Sequence, residues 1–156
     1  MTSPLLAIRI SRRGIGAVTL LDDKLPLLDG RHLTSKTSKA IPAAIRYLGR
    51  LLDTAKPRQV IVDAPPSKDS APGLLLVSIR TLLESRHVPS LLIERSDVLN
   101  AYGIRSADNR RVVRELILQF WPEIGNITGK IQPYVADAAA GALYGESRLA
   151  LSPPPA

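Results

Sequence analysis

The spacing of the apolar residues changes partway along the chain, and that change restricts the fold more than any other feature. Leu5-Leu6-Ala7-Ile8-Arg9-Ile10 is a near-continuous apolar run interrupted by one arginine. Ser11-Arg12-Arg13-Gly14 supplies a turn, and Ile15 to Leu21 is a second run of the same kind. Asp22-Asp23-Lys24 is a polar turn, after which Leu25 to Leu33 reads as a third, irregular strand despite Pro26. Short strands joined by tight turns predict an antiparallel meander. From Ile41 the spacing becomes three to four. Ile41, Ala44, Ile45, Leu48, Leu51 and Leu52 mark one face of a helix, with Pro42 in its first turn and Lys56-Pro57 at its end. Gln59 to Asp63 is a short buried strand leading into a rigid Ala64-Pro65-Pro66 loop. Leu75, Ile79, Leu82 and Leu83 define a second helix, begun near Pro72 and closed before Pro89, and Ser90 to Glu94 is the next strand. Strands separated by helices predict parallel crossover connections.

The remainder is helical. Ser96-Asp97 can cap a short helix ending at Gly103. Ser106 and Asp108 can begin another, with Val113, Leu116, Ile117 and Phe120 as its apolar stripe before Pro122. Glu123 to Pro133 reads as a loop, and Tyr134 to Leu149 as a last helix carrying Ala138-Ala139-Ala140-Gly141-Ala142, whose small side chains let a helix lie close to a sheet. The expected architecture is α/β: a mixed five-stranded sheet, antiparallel meander first and parallel crossover strands after, with helices on both faces. Residues 1–150 are expected to form one domain and 151–156 a disordered proline-rich tail. The core is aliphatic, since 45% of the residues are hydrophobic but only one Trp, one Phe and four Tyr are present.

Composition excludes several chemistries. With no cysteine there are no disulfides, thiolate metal sites or Cys nucleophiles, and two histidines argue against a His-rich metal centre. No apolar run reaches the ~18 residues of a membrane span, and no secretory leader is visible, so a cytoplasmic location without membrane association is expected. Lys and Arg number 21 against 14 Asp and Glu, a net charge of +7 that attracts phosphate backbones or acidic partners. The candidate nucleic-acid contacts are Arg12 and Arg13 at the first turn, and Arg105, Arg110, Arg111 and Arg114 around the helix after Glu94. Arg110, Arg111 and Arg114 fall within about one and a half turns and can face a phosphate backbone together. The same residues also suit an ordinary solvated helix, with Glu115 and Glu123 as partners.

Three acids occupy positions where sites gather. Asp63 and Glu94 lie at C-terminal strand ends, and Asp137 lies in the first turn of the alanine-rich helix. Carboxylates brought together there repel unless a proton or cation intervenes, and hard oxygen ligands suit Mg²⁺ or Mn²⁺, which activate water for phosphodiester hydrolysis. Each acid also has a plain structural reading. Asp63 can cap its loop, Glu94 can pair with Arg95, and Asp137 can favour the helix dipole.

The order of elements resembles the RuvC and YqgF branch of the ribonuclease-H-like superfamily, the Holliday-junction resolvases. The likeness runs over roughly residues 5–150. It rests on Leu6 to Val18 as opening strand and glycine-containing turn, and on Val60-Ile61-Val62-Asp63-Ala64-Pro65-Pro66 as central strand and loop. Leu92-Ile93-Glu94-Arg95-Ser96 and Asp137 to Ala142 complete it. The resemblance implies a dimeric protein of DNA recombination that cuts branched DNA with Mg²⁺ or Mn²⁺, using Asp63, Glu94 and Asp137 as catalytic and metal-binding residues. It also implies a metal-binding Asp in the first strand, where this chain has Arg9, and a second acid on the closing helix, where it has Ala140. A guanidinium there opposes a divalent cation and can pair with Asp63 or Asp137 instead. Three readings follow: a metal-dependent endonuclease, a catalytically degenerate module of the same fold that binds nucleic acid or a partner protein, or a structural subunit of that fold with no nucleic acid involved.

Overall fold

The structure is a computed structural model. It describes residues 4–11, 14–21, 26–33, 37–64, 71–103, 110–127 and 131–151. Strands β1 (Leu5–Ile10), β2 (Gly14–Leu20) and β3 (Leu27–His32) form the meander, with β1·β2 and β2·β3 both antiparallel. Helix α1 (Thr37–Ala55) crosses to β4 (Gln59–Ala64), which lies parallel to β1, and α2 (Ala71–Ser85) crosses to β5 (Ser90–Glu94), parallel to β4. The sheet order is β3-β2-β1-β4-β5. Three helices follow: α3 (Arg95–Ala101), α4 (Arg110–Phe120) and α5 (Gln132–Leu151), with a 3₁₀ turn at Pro122–Asn126 between the last two.

Alternation along β1 and β4 divides the core in two. Leu6, Ile8, Ile10, Val60 and Val62 pack against Ala44, Leu48, Leu75 and Ile79 of α1 and α2. Leu5, Ala7 and Ile61 face Val135, Ala138, Ala139 and Ala142 of α5. Both faces of the central strands are therefore covered, which explains why β1 reads as a continuous apolar run instead of an alternating one.

Small residues set how closely α5 approaches. A side-chain carbon on Gly16 would collide with the backbone of Tyr134, and one on Gly145 with Ile61. These two contacts press the N-terminal turn of α5 onto β2 and its C-terminal half onto β4.

Several boundaries differ from the pattern-based expectation. Helix α1 starts at Thr37, so Pro42 is its sixth residue; Thr37, Ser38 and Lys39 carry no apolar period that would reveal the first turn. Helix α3 starts at Arg95, directly from the strand, and Glu94 takes the cap position with extended φ and ψ and no side-chain cap hydrogen bond. Ser96 and Asp97 are thus inside the helix. It ends at Ala101, with Gly103 just beyond at φ +76°. Helix α5 starts at Gln132, placing Pro133 in its first turn, and runs through Leu151. On α4 only Val113 and Ile117 of the expected stripe are buried; Leu116 and Phe120 are exposed. Pro65, Pro66 and residues 104–109 and 152–156 lie outside the described residues. Among the described residues, no helix is long and apolar enough to cross a membrane.

Candidate functional site

Arg9 and Asp63 are direct neighbours across the parallel β1·β4 pair, near the C-terminal ends of both strands. Strand parity turns both side chains toward α5, where Arg9 Nη1 donates to Asp63 Oδ1 at 3.0 Å. Asp137 enters from the second turn of α5, and Arg95 from the first position of α3. Arg95 is the hub. Its Nη1 donates to Asp63 Oδ2 at 2.7 Å, and its Nη2 lies 2.7 Å from Asp137 Oδ1. Arg114 of α4 closes the chain from outside, donating from Nε to Asp137 Oδ1 at 3.0 Å and from Nη2 to Asp137 Oδ2 at 2.9 Å. The order Arg9–Asp63–Arg95–Asp137–Arg114 therefore alternates sign at every step. Its four inner members are buried, and only Arg114 reaches solvent, with about a third of its side chain exposed (34%).

The electrostatics follow from that burial. Desolvation raises the Asp63 pKa, Arg9 and Arg95 pull it back, and Asp137 raises it again. The carboxylate pair with Asp137 holds Arg114 more firmly protonated. Tyr102, whose pKa is raised by burial, donates its hydroxyl to the carbonyl of Ala140 at 3.2 Å. Among the described residues, Arg95 Nε is buried without a hydrogen-bond partner.

A divalent cation does not fit this donor set. Both oxygens of Asp63 and both of Asp137 already accept from guanidiniums. Ala140 offers no side-chain donor, and among the described residues no group of three His, Cys, Asp or Glu side chains could hold a metal ion. Glu94 is exposed, and among the described residues it forms no metal-holding group with Asp63 and Asp137.

The candidate nucleic-acid contacts divide differently. Arg114 is turned inward to Asp137, so it is a member of the buried chain and not a free cation on α4. Arg111 is exposed and pairs with Glu115 at 3.2 Å. Arg110 begins α4, but its side chain lies outside the described residues, as do Arg12, Arg13 and Arg105 altogether. Sequence reasoning missed Arg95 as the hub. The available signal was its place immediately after a strand end, one residue beyond the acid that drew attention.

Solved structures place this arrangement in a known architecture. A Thermus thermophilus RuvC in complex with Holliday junction substrate superposes with TM-score 0.72 at 14% identity, covering 96% of each chain. The chain has the RuvC fold. A second Thermus thermophilus RuvC structure gives TM-score 0.64 at 15% identity, over 94% of this chain and 96% of that one. The yeast mitochondrial Holliday junction resolvase Ydc2 gives 0.59 at 15% identity, over 97% of this chain and 82% of that one. No protein-family profile matches the sequence, and neither does any curated protein. The RuvC-like fold is thus present at 14–15% identity, and the five-residue chain lies at the C-terminal edge of its central strands.

Proposed function

We propose that this protein binds branched or structured DNA through its RuvC-like fold without hydrolysing it. The observation that carries the reading is the insertion of Arg9, Arg95 and Arg114 onto every oxygen of Asp63 and Asp137. Guanidiniums in those positions neutralise the carboxylates a metal would need, and they are always charged. The DNA part of the reading rests on the net charge of +7 and on likeness to a RuvC that was solved with Holliday junction substrate. The metal-dependent hydrolytic reading, with Asp63, Glu94 and Asp137 as ligands, is the rival.

One experiment separates them. A labelled four-way junction and a matched linear duplex are incubated with the protein in EDTA, Mg²⁺ or Mn²⁺, then run on native and denaturing gels. The expected result is a retarded junction, no cleavage products under any condition, and affinity that falls with salt at a log–log slope of about −0.9 per phosphate contact. Metal-dependent products that disappear in Asp63→Asn or Asp137→Asn would establish the nuclease instead. Absence of any retarded species at low salt would end the DNA reading.

A further inference from the structure

On the opposite face of the sheet from the buried chain, a cleft of about 430 Å3 opens between the edge strand β3 and helix α1. Asp29 and Arg31 line it from β3; Tyr47, Arg50 and Thr54 line it from α1. Arg31 and Arg50 are exposed, and among the described residues neither is in a salt bridge. Asp29 directs one oxygen at its own strand, accepting from the Gly30 amide at 2.8 Å. The three charged groups leave one positive charge in surplus. Tyr47 is 7% exposed, and its buried hydroxyl interacts with Asp29 but has no partner in full hydrogen-bonding geometry among the described residues. A buried hydroxyl outside good hydrogen-bonding geometry is costly, so the cleft presents an incompletely satisfied donor beside two guanidiniums that make no ion pair among the described residues. Burial and the nearby Asp29 push the Tyr47 pKa upward, which keeps that donor protonated.

We propose that this cleft binds a phosphoryl group, held by the guanidiniums of Arg31 and Arg50 over the hydroxyl of Tyr47. The planar forks of arginine match the oxygens of phosphate, and a monoanion cancels the surplus charge. The volume exceeds that of one phosphate, so the ligand carries an organic portion: a free mononucleotide, or one nucleotide unit of a nucleic-acid strand. The cleft shares no residue with the buried Arg9–Asp63–Arg95–Asp137–Arg114 chain.

The test is a titration of the full chain followed by ¹H–¹⁵N NMR at constant ionic strength, with inorganic phosphate, adenosine 5′-monophosphate and a four-way junction as probes and chloride as control. Saturable shifts of the Arg31 and Arg50 Nε–H and Gly30 N–H signals are expected with phosphate and not with chloride. Arg31→Ala with Arg50→Ala should abolish saturation. Tyr47→Phe, which keeps the ring packing, should weaken binding about tenfold or more, the effect of losing a hydrogen bond to a charged group. Tighter binding of the mononucleotide than of phosphate identifies a free nucleotide as the source; the same signals moving with the junction identify a strand. Shifts that grow linearly, that match those with chloride, or that survive the double substitution overturn the proposal. Loss of junction binding with phosphate saturation intact removes the DNA reading and leaves this one standing.

Discussion

On the α1–α2 side of the sheet, Leu6, Ile8, Ile10, Val60 and Val62 meet Leu48, Leu75 and Ile79 in a wholly aliphatic contact. On the α5 side, alternate positions of the same two strands supply Arg9 and Asp63, which meet Arg95, Asp137 and Arg114. The first layer tolerates exchange of one hydrocarbon for another of equal volume. The second does not, because Asp63, Arg95 and Asp137 are each buried against two groups of opposite sign. Stability on one side is spread over many weak contacts, whereas on the other it is concentrated in a few mutually dependent ones.

Removing the hub should give the largest effect. Arg95→Ala leaves Asp63 and Asp137 buried with one guanidinium each, and breaking a buried pair by deleting one partner costs about 3–5 kcal/mol. Urea unfolding monitored by circular dichroism measures this, and a cost below about 1 kcal/mol would mean the charges are dispensable and the two faces are alike. A smaller loss, about 1–3 kcal/mol, is expected for Gly16→Ala, because the added carbon must push the Tyr134 backbone and hence α5 off β2. The same assay reads it; an unchanged midpoint would show that α5 can retreat without cost.

A third effect concerns pH. Because burial raises the folded Asp63 pKa above its ordinary 3.8, the folded state binds a proton more readily than the unfolded one. The stability that this group contributes is fully present below pH 3.8 and is lost as pH rises through the folded midpoint. Following the Asp63 carboxyl carbon by NMR should give a midpoint above 3.8. A midpoint below that value would show that Arg9 and Arg95 outweigh desolvation.

The aliphatic side was readable in the sequence because it is periodic. The 3–4 spacing of Ala44, Leu48 and Leu52 and the short run Val60-Ile61-Val62 each declare an element and its buried face. The meander, the crossovers and the mixed sheet followed from such local patterns. Of the charged side, Arg9 as a partner of Asp63 or Asp137 was legible through the resemblance, and the structure pairs it with Asp63 across adjacent parallel strands. Arg95 was not, because its partners are 32 and 42 residues away in sequence and no local spacing encodes that meeting. Glu94 misled for the same reason. A strand-end acid and its neighbour look alike on paper, but the turn into α3 sends Glu94 outward and Arg95 inward. Leu116 and Phe120 fit a helical period yet sit on the solvent side of it, since period alone does not say how wide the covered stripe is.

Arg95 also has a meaning in time. Its contacts require β4, the start of α3 and α5 to be in place together, so the hub is assembled only after the long-range loops have closed. Interactions completed after the rate-limiting step leave the folding rate nearly unchanged and slow the reverse reaction. If the hub closes after that step, Arg95→Ala speeds unfolding and leaves the folding rate nearly unchanged, so the buried charges set how long the native state lasts.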